Sequence, residues 1–476
     1  MSTVRLLLAL AAANSWELTS ADIPTAYLQS WLHDVVVYCS WPPGFEQFQP
    51  GTILRCHRSL YGLPQSAHEW GTELREALME FGFKRCWSDR QLYVWDTPRG
   101  ILLVCCWVDD LLCATSSSEM RREFMVFMQR FRITDLGPLR RGLGADIYQD
   151  LDAGTVTFSL TGYIRDTGRR LQIPQKHVDI PAPRGSAAAC RKSTPPSTAA
   201  ALTELVELYL VLSGIITFIA STSRPDIAWH AYFISTATAN PTEEYYNFAI
   251  RVFQYLVTTA DLALTYRRSE GFTSGMLFTP GEHVSAQPHM LADASLVSPR
   301  SISSWCFMVC GAAVFWKVMA QFSPALSSGE AEFYALTSAV ATAVHMRQLT
   351  MEMSYEWLSP MLIFSDGRAA RLMIQNGNST PNVRHVDLKW WFAHYHVELG
   401  HVSVHPVRGT KNPVNALTKC IAGNEFFASR SYLLGTAAFS AASAAMLASY
   451  RRVRFDTRHY AASLLACAWR RHRLST

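Results

Sequence analysis

Val104-Cys105-Cys106-Trp107-Val108-Asp109-Asp110-Leu111-Leu112 places two adjacent carboxylates between two apolar runs. Ile101 to Val108 is rich in aliphatic and β-branched residues, and Leu111 to Cys113 is apolar too, so the stretch predicts a β-hairpin with the acids at its turn. A turn normally leaves Asp in water. Arms this apolar must pack against a core, which puts Asp109 and Asp110 at the rim of a buried site. Two like charges so close raise each other's pKa unless a cation stands between them. A hard ion such as Mg²⁺ prefers carboxylate oxygens and suits the place. Taken alone, an Asp pair is far more often a solvated turn.

A metal site of this kind usually draws a further acid from another strand. Asp22, after Ser15-Trp16-Glu17-Leu18-Thr19-Ser20-Ala21 and before Ile23-Pro24-Thr25-Ala26-Tyr27-Leu28, can supply it. One acid at a strand end plus two on a hairpin suits two-metal phosphoryl transfer. Between the acidic segments lie Tyr38, Pro42-Pro43-Gly44-Phe45 and Arg58-Ser59-Leu60-Tyr61-Gly62-Leu63-Pro64-Gln65-Ser66-Ala67. In this order and spacing the four segments resemble the palm motifs of reverse transcriptases from copia-type retrotransposons. The resemblance implies that Asp22, Asp109 and Asp110 hold the catalytic metals. It implies that Tyr27 blocks a 2′-hydroxyl and so selects deoxynucleotides. Gln65 would touch the incoming nucleotide, and Gly62 would permit close backbone approach.

Composition sets broad bounds. The chain has 476 residues, enough for two or three domains, and 49% hydrophobic residues, enough for a sizeable core. A net charge of +5 permits a nucleic-acid partner without demanding one. The 11 cysteines show no metal-ligand spacing, which fits a reducing intracellular compartment, cytoplasmic or nuclear. Leu6-Leu7-Leu8-Ala9-Leu10-Ala11-Ala12-Ala13 after Arg5 has the look of a signal sequence, but a buried helix is favoured, since copia-type proteins carry a similar helix just before the first catalytic strand. Ser431 to Tyr450 is uncharged and of spanning length, yet it is mostly Ala and Ser, so a membrane partner is not expected.

A second group of acids lies downstream. Asp293 ends the apolar run Met290-Leu291-Ala292. Glu332 falls in Ser327-Ser328-Gly329-Glu330-Ala331-Glu332-Phe333-Tyr334, which opens a helix. Asp366 follows Met361-Leu362-Ile363-Phe364-Ser365. Ser327 or Ser328 can cap the helix, with Glu330 as a cap or surface residue. Singly, each acid reads as a cap or a solvated strand end. The order strand-acid, helix-acid, strand-acid resembles the ribonuclease H fold of copia-type elements, which implies that Asp293, Glu332 and Asp366 are catalytic and bind two metal ions around a scissile phosphate. His385 in Arg384-His385-Val386-Asp387 is read as structural or substrate-contacting rather than catalytic.

The chain departs from the family pattern at four positions, one of them Ser295, which stands where a second Asp is common after Asp293. Pro64 stands in place of a Lys, Trp107 in place of a Tyr, and Asn415, in Asn412-Pro413-Val414-Asn415-Ala416-Leu417-Thr418-Lys419, in place of an Asp. A neutral amide brings an oxygen but no charge, so Asn415 should weaken metal binding. The resemblance also implies a chain beginning at the palm helix, without the fingers that grip a triphosphate.

The expected fold is α+β, a reverse-transcriptase palm-like domain followed by a ribonuclease H-like α/β domain. The expected division is 1–175 palm and thumb-like region, 176–204 linker, 205–284 helical connection, 285–420 ribonuclease H-like domain and 421–476 Ala/Arg-rich tail. The expected cofactor is Mg²⁺, with Mn²⁺ as the substitute, and the expected partners are an RNA template, a DNA primer, an RNA–DNA hybrid and dNTPs. A catalytically decayed or co-opted nucleic-acid-binding protein is the alternative.

Overall fold

The computed structural model describes residues 1–33, 35–45, 52–174, 176–268, 288–297, 299–355, 360–375 and 387–436. His385, the Arg-rich end of the chain and most of Ser431 to Tyr450 lie outside the described residues. The chain divides into two compact units. One comprises Ser15–Gly142 with Met351–Tyr355, and the other Met1–Asn14, Leu143–Thr350 and the described residues beyond.

The unit starting at Ser15 is built on a six-stranded sheet in the order Lys84–Arg85, Leu92–Thr97, Gly100–Trp107, Asp110–Thr115, Glu17–Asp22, Thr134–Pro138. The expected hairpin is there: Gly100–Trp107 pairs antiparallel with Asp110–Thr115, and Trp107 opposite Asp110 is the last pair before the turn. Strand side chains alternate between faces. Leu102, Val104 and Cys106 therefore share a face with Leu111 and Cys113, and all five pack with Trp70, Leu74 and Leu78 of the helix Ser66–Phe81 and with Met120 and Phe124 of the helix Ser118–Phe127. Ser117 caps the second helix through its hydroxyl oxygen, which accepts from the Met120 N–H.

The other unit holds a five-stranded sheet in the order Ala312–Ala320, Ile302–Val309, His289–Ser295, Met361–Ser365, Val402–Pro406. Its first three strands run antiparallel and its last two lie parallel to His289–Ser295 and to each other. The helix Ser328–Glu352 connects the antiparallel hairpin to the parallel half. This is a ribonuclease H-like arrangement, and together with the first sheet it makes the chain α+β, as expected.

The boundaries expected at 175 and 204 do not coincide with the structural ones. Thr155–Ser159 pairs with Ala145–Asp150 on one side and with Leu264–Arg267 on the other, so residues 145–159 belong with the second unit. A pairing across so long a stretch of chain leaves no mark in local sequence. The stretch read as a linker contains the helix Ser186–Lys192 and the start of Ala199–Thr222. Pro181, Pro183, Pro195 and Pro196 bracket the shorter helix rather than interrupt it. The expected tail begins with another helix, Asn424–Leu434, which buries Phe426, Leu433 and Leu434.

The apolar start of the chain is a buried helix, Ser2–Asn14. Within the second unit it packs against Thr155–Ser159, Leu264–Arg267 and Ala312–Ala320. Arg5 donates to the carbonyls of Ser221 and Thr222 at 2.8 Å each and lies over the Trp316 ring at 3.9 Å. Its guanidinium thereby satisfies orphan carbonyls at the end of Ala199–Thr222 and favours the negative end of that helix. Ala199–Thr222 is long and apolar enough to cross a membrane, yet Tyr209, Leu212, Ile215, Ile216 and Ile219 of it are buried within the protein.

Candidate functional site

The hairpin turn and the neighbouring strand bring the first acids together. Asp22 is the direct cross-strand partner of Asp110, and the Ile23 N–H donates to the Asp109 carbonyl at 3.0 Å. Val108, at the turn, has φ of 59°, a left-handed conformation that a β-branched residue rarely adopts. The Trp70 indole N–H donates to the Val108 carbonyl at 2.7 Å and holds that strained peptide in place. Asp109 is thus aimed by a helix residue that sequence reasoning had not selected.

The electrostatics follow from this crowding. The Asp22 carboxyl is pushed above its usual range by burial and then by Asp109. Asp110 moves the same way through burial and its two neighbours, Asp109 and Asp22. Tyr27 lies against Tyr61, with ring centroids 4.9 Å apart. Burial raises the Tyr61 phenol first, and Asp109, Tyr27 and Asp22 add to the effect, so Tyr61 also borders the acids. Tyr61 stood inside a recognised motif but was passed over. Gly62 has φ of +94° with open space where a Cβ would stand, so conformation, not room, calls for glycine there. Gln65 occupies the N-cap position of the helix Ser66–Phe81, and its carbonyl accepts from the N–H groups of His68 and Glu69.

The second group assembles on the other sheet. Ala292 and Ser365 are register partners on adjacent parallel strands, so Asp293 and Asp366 follow at the same level. Glu332 reaches them because Gly367 has no side chain: an added Cβ would stand 2.9 Å from the Glu332 Cβ and Cδ. Gly409 gives way likewise, since a Cβ there would meet Asp366 Oδ2 at 2.9 Å. The Thr418 hydroxyl donates to Asp293 Oδ2 at 2.5 Å. Burial pushes Asp293 up to about 6, against the Thr418 hydrogen bond and with help from Asp366. Burial raises Glu332 as well, and Asp366 and Asp293 push in the same direction. The Ser327 hydroxyl accepts from the Glu330 N–H at 3.2 Å, and Glu330 Oε2 accepts from the Leu326 N–H at 2.8 Å, so Glu330 closes a reciprocal cap as expected and leaves Glu332 for the site.

The six acids expected as metal ligands therefore stand in two groups. Among the described residues no three His, Cys, Asp or Glu side chains already converge on a coordination sphere. The donor chemistry nonetheless fits a hard divalent cation. Asp22, Asp110, Asp293 and Glu332 are all pushed above the usual carboxylate range by burial and by neighbouring acids, and Asp366 Oδ1 is buried without a hydrogen-bond partner. Asn415 brings no charge to the second group. Its amide N–H₂ donates to the Gly409 carbonyl at 2.6 Å and to Glu425 Oε1 at 3.4 Å.

Residues 1–177 match the reverse transcriptase (RNA-dependent DNA polymerase) family. The chain is 26% identical over 441 residues to the retrovirus-related Pol polyprotein from transposon RE1 of Arabidopsis thaliana, covering 90% of this chain and 28% of that protein. It is 22% identical over 430 residues to the Pol polyprotein from transposon TNT 1-94 of Nicotiana tabacum, covering 90% of this chain and 31% of that protein. It thus spans less than a third of the length of these relatives. A foamy viral protease-reverse transcriptase solved with double-stranded DNA aligns at a TM-score of 0.43 and 12% identity, over 84% of this chain and 58% of that one. The reverse transcriptase match over residues 1–177 and a likeness to transposon Pol polyproteins along nine-tenths of the chain together support a copia-type retrotransposon Pol fragment.

Proposed function

We propose that the chain is an RNA-directed DNA polymerase with a ribonuclease H-like partner activity, both by two-metal phosphoryl transfer. Asp22, Asp109 and Asp110 would hold the ions of the polymerase site, and Asp293, Glu332 and Asp366 those of the nuclease site, with Mg²⁺ preferred and Mn²⁺ as substitute. When bound, the ions activate the attacking oxygen and steady the leaving group. The observation that carries the polymerase assignment is the direct cross-strand pairing of Asp22 with Asp110 beside Asp109. These acids supply the negative charge that draws the cation in. Tyr27, packed at a tilt against Tyr61, offers a wall where a ribose 2′-hydroxyl would clash, and Gln65 presents the start of a helix to an incoming dNTP. The substrates are an RNA template, a DNA primer, dNTPs and, for the second site, an RNA–DNA hybrid. The free thiols of the described cysteines suit an intracellular setting, cytoplasmic or nuclear.

A nucleic-acid-binding protein without nuclease activity is favoured at the second site by one observation, the engagement of Asn415 with Gly409 and Glu425 where a carboxylate is the family rule. Both readings meet in one assay. The purified chain is incubated with Mg²⁺ on a primed RNA template and on an RNA–DNA hybrid, beside Asp109→Asn/Asp110→Asn and Asp366→Asn variants. Extension lost only in the first variant and cleavage lost only in the second is the expected outcome. Hybrid binding with neither activity would leave the binding protein standing.

A further inference from the structure

Val37–Cys39 and Leu54–Cys56 pair antiparallel, with Val37 opposite Cys56 and Cys39 opposite Leu54. Cys39 and Cys56 are therefore diagonal neighbours on one face of a two-stranded ribbon. Their Sγ atoms lie 3.5 Å apart. Ribbons of two strands twist strongly, and that twist draws one diagonal together. Both cysteines are half-exposed, whereas Cys86, Cys105, Cys106, Cys113, Cys190, Cys306 and Cys310 are buried. Among the described residues only Cys420 shares their accessibility. A dissolved oxidant meets these three thiols first.

We propose that Cys39 and Cys56 form a redox-modification site that closes to an intramolecular disulfide on reaction with a small-molecule disulfide such as glutathione disulfide. The thiolate of one cysteine attacks a glutathione disulfide sulfur, the S–S bond breaks, and one glutathione thiolate leaves. The second cysteine's thiolate then attacks the protein sulfur of the mixed disulfide and expels the other glutathione. Two protein thiols are oxidised and one glutathione disulfide is reduced to two thiols, which take up the two protons. The sulfurs must close from 3.5 Å to a bond of about 2.05 Å, a small movement for strands of three residues with half-exposed side chains. Burial and then the neighbouring sulfur push the Cys56 thiol up, so exchange at this pair quickens as pH rises.

The position gives the modification a route to the polymerase residues. From Cys56 the chain runs through His57, whose carbonyl accepts from the Leu32 N–H, and Arg58, whose guanidinium lies 4.2 Å over the Trp31 ring. The Ser59 N–H donates to the Ser30 carbonyl, and Tyr61 then meets Tyr27. A closed disulfide anchors the start of that path.

The test is to incubate the reduced full chain with glutathione disulfide, alkylate the remaining thiols and map the peptides without reduction. A Cys39–Cys56 linked peptide is expected, with alkylation lost at both positions together while Cys420 stays free or carries glutathione. In Cys39→Ser, Cys56 is expected to retain glutathione as a lasting mixed disulfide. Separate glutathione on both cysteines of the wild type, bridges between chains, or full alkylation of the pair would overturn the proposal. So would release of glutathione from Cys56 in Cys39→Ser at the wild-type rate.

Discussion

Asp293 shows how far burial reshapes a single side chain. Its pKa of about 6 lies above the ordinary 3.8, so it adds stability in its protonated form. That contribution is complete below about pH 4 and is lost as pH rises through 6, and a shift of this size corresponds to roughly 3 kcal/mol. Asp293→Asn keeps an acceptor for the Thr418 hydroxyl and removes the buried charge. In metal-free buffer the variant is expected to melt higher than wild type at pH 8 and at nearly the same temperature at pH 4. A pH-independent difference in thermal melts would contradict the assignment of the charge to Asp293. The acids at both sites were legible from sequence because each stands inside a motif. Thr418 and Trp70 were not selected, because what they hold, a carboxylate and a turn carbonyl, lies far off in the chain.

At the scale of elements, Arg224-Pro225-Asp226 places a buried ion pair at the start of a helix. Pro225–Ile227 forms one 3₁₀ turn before Ala228–Ser235. Arg224 and Asp226 make a fully buried bidentate ion pair at 2.9 and 2.8 Å. The Tyr255 hydroxyl donates to Asp226 Oδ2 at 2.7 Å, and Arg224 also reaches the Thr259 carbonyl at 3.0 Å. Breaking such a pair strands a buried charge and costs roughly 3–5 kcal/mol. Asp226→Asn is therefore expected to lower the urea midpoint of the second unit sharply. A double change to Arg224→Met/Asp226→Leu should recover much of the loss, and equal destabilisation by both would argue against a stranded charge as the cause. The hairpin was predicted within a residue or two because apolar alternation and an acidic turn are local signals. Prolines bracket Ser186–Lys192 inside the stretch expected as a linker, because the same residues that end a helix also fill loops.

At the scale of the molecule, the helix Ser2–Asn14 ties distant elements together. Leu6, Leu7, Leu8 and Leu10 are fully buried, and Arg5 caps Ala199–Thr222. Removing one such leucine side chain leaves a cavity and costs roughly 2–5 kcal/mol. Leu10→Ala is expected to speed hydrogen exchange in Leu264–Arg267 and Ala312–Ala320 while leaving the Gly100–Thr115 hairpin protected. Equal loss of protection in the hairpin would mean that the helix supports both units. The leucine run also had the look of a signal sequence; the resemblance favoured a buried helix, and a buried helix is what the run forms.

The order of Asp22, Asp109 and Asp110, then Asp293, Glu332 and Asp366, could be read from the chain, because strand ends, caps and turns are written in residues close to one another. Apolar runs likewise announced the hairpin, and the resemblance to copia-type proteins implied the two α+β halves. Which strand Thr155–Ser159 would pair with, which unit would take Ser2–Asn14, and how Gly367 and Gly409 make room for Glu332 and Asp366 were settled by packing. Those outcomes depend on surfaces meeting across long stretches of chain, where the free energy of burial is shared among many residues and no local pattern records the partner.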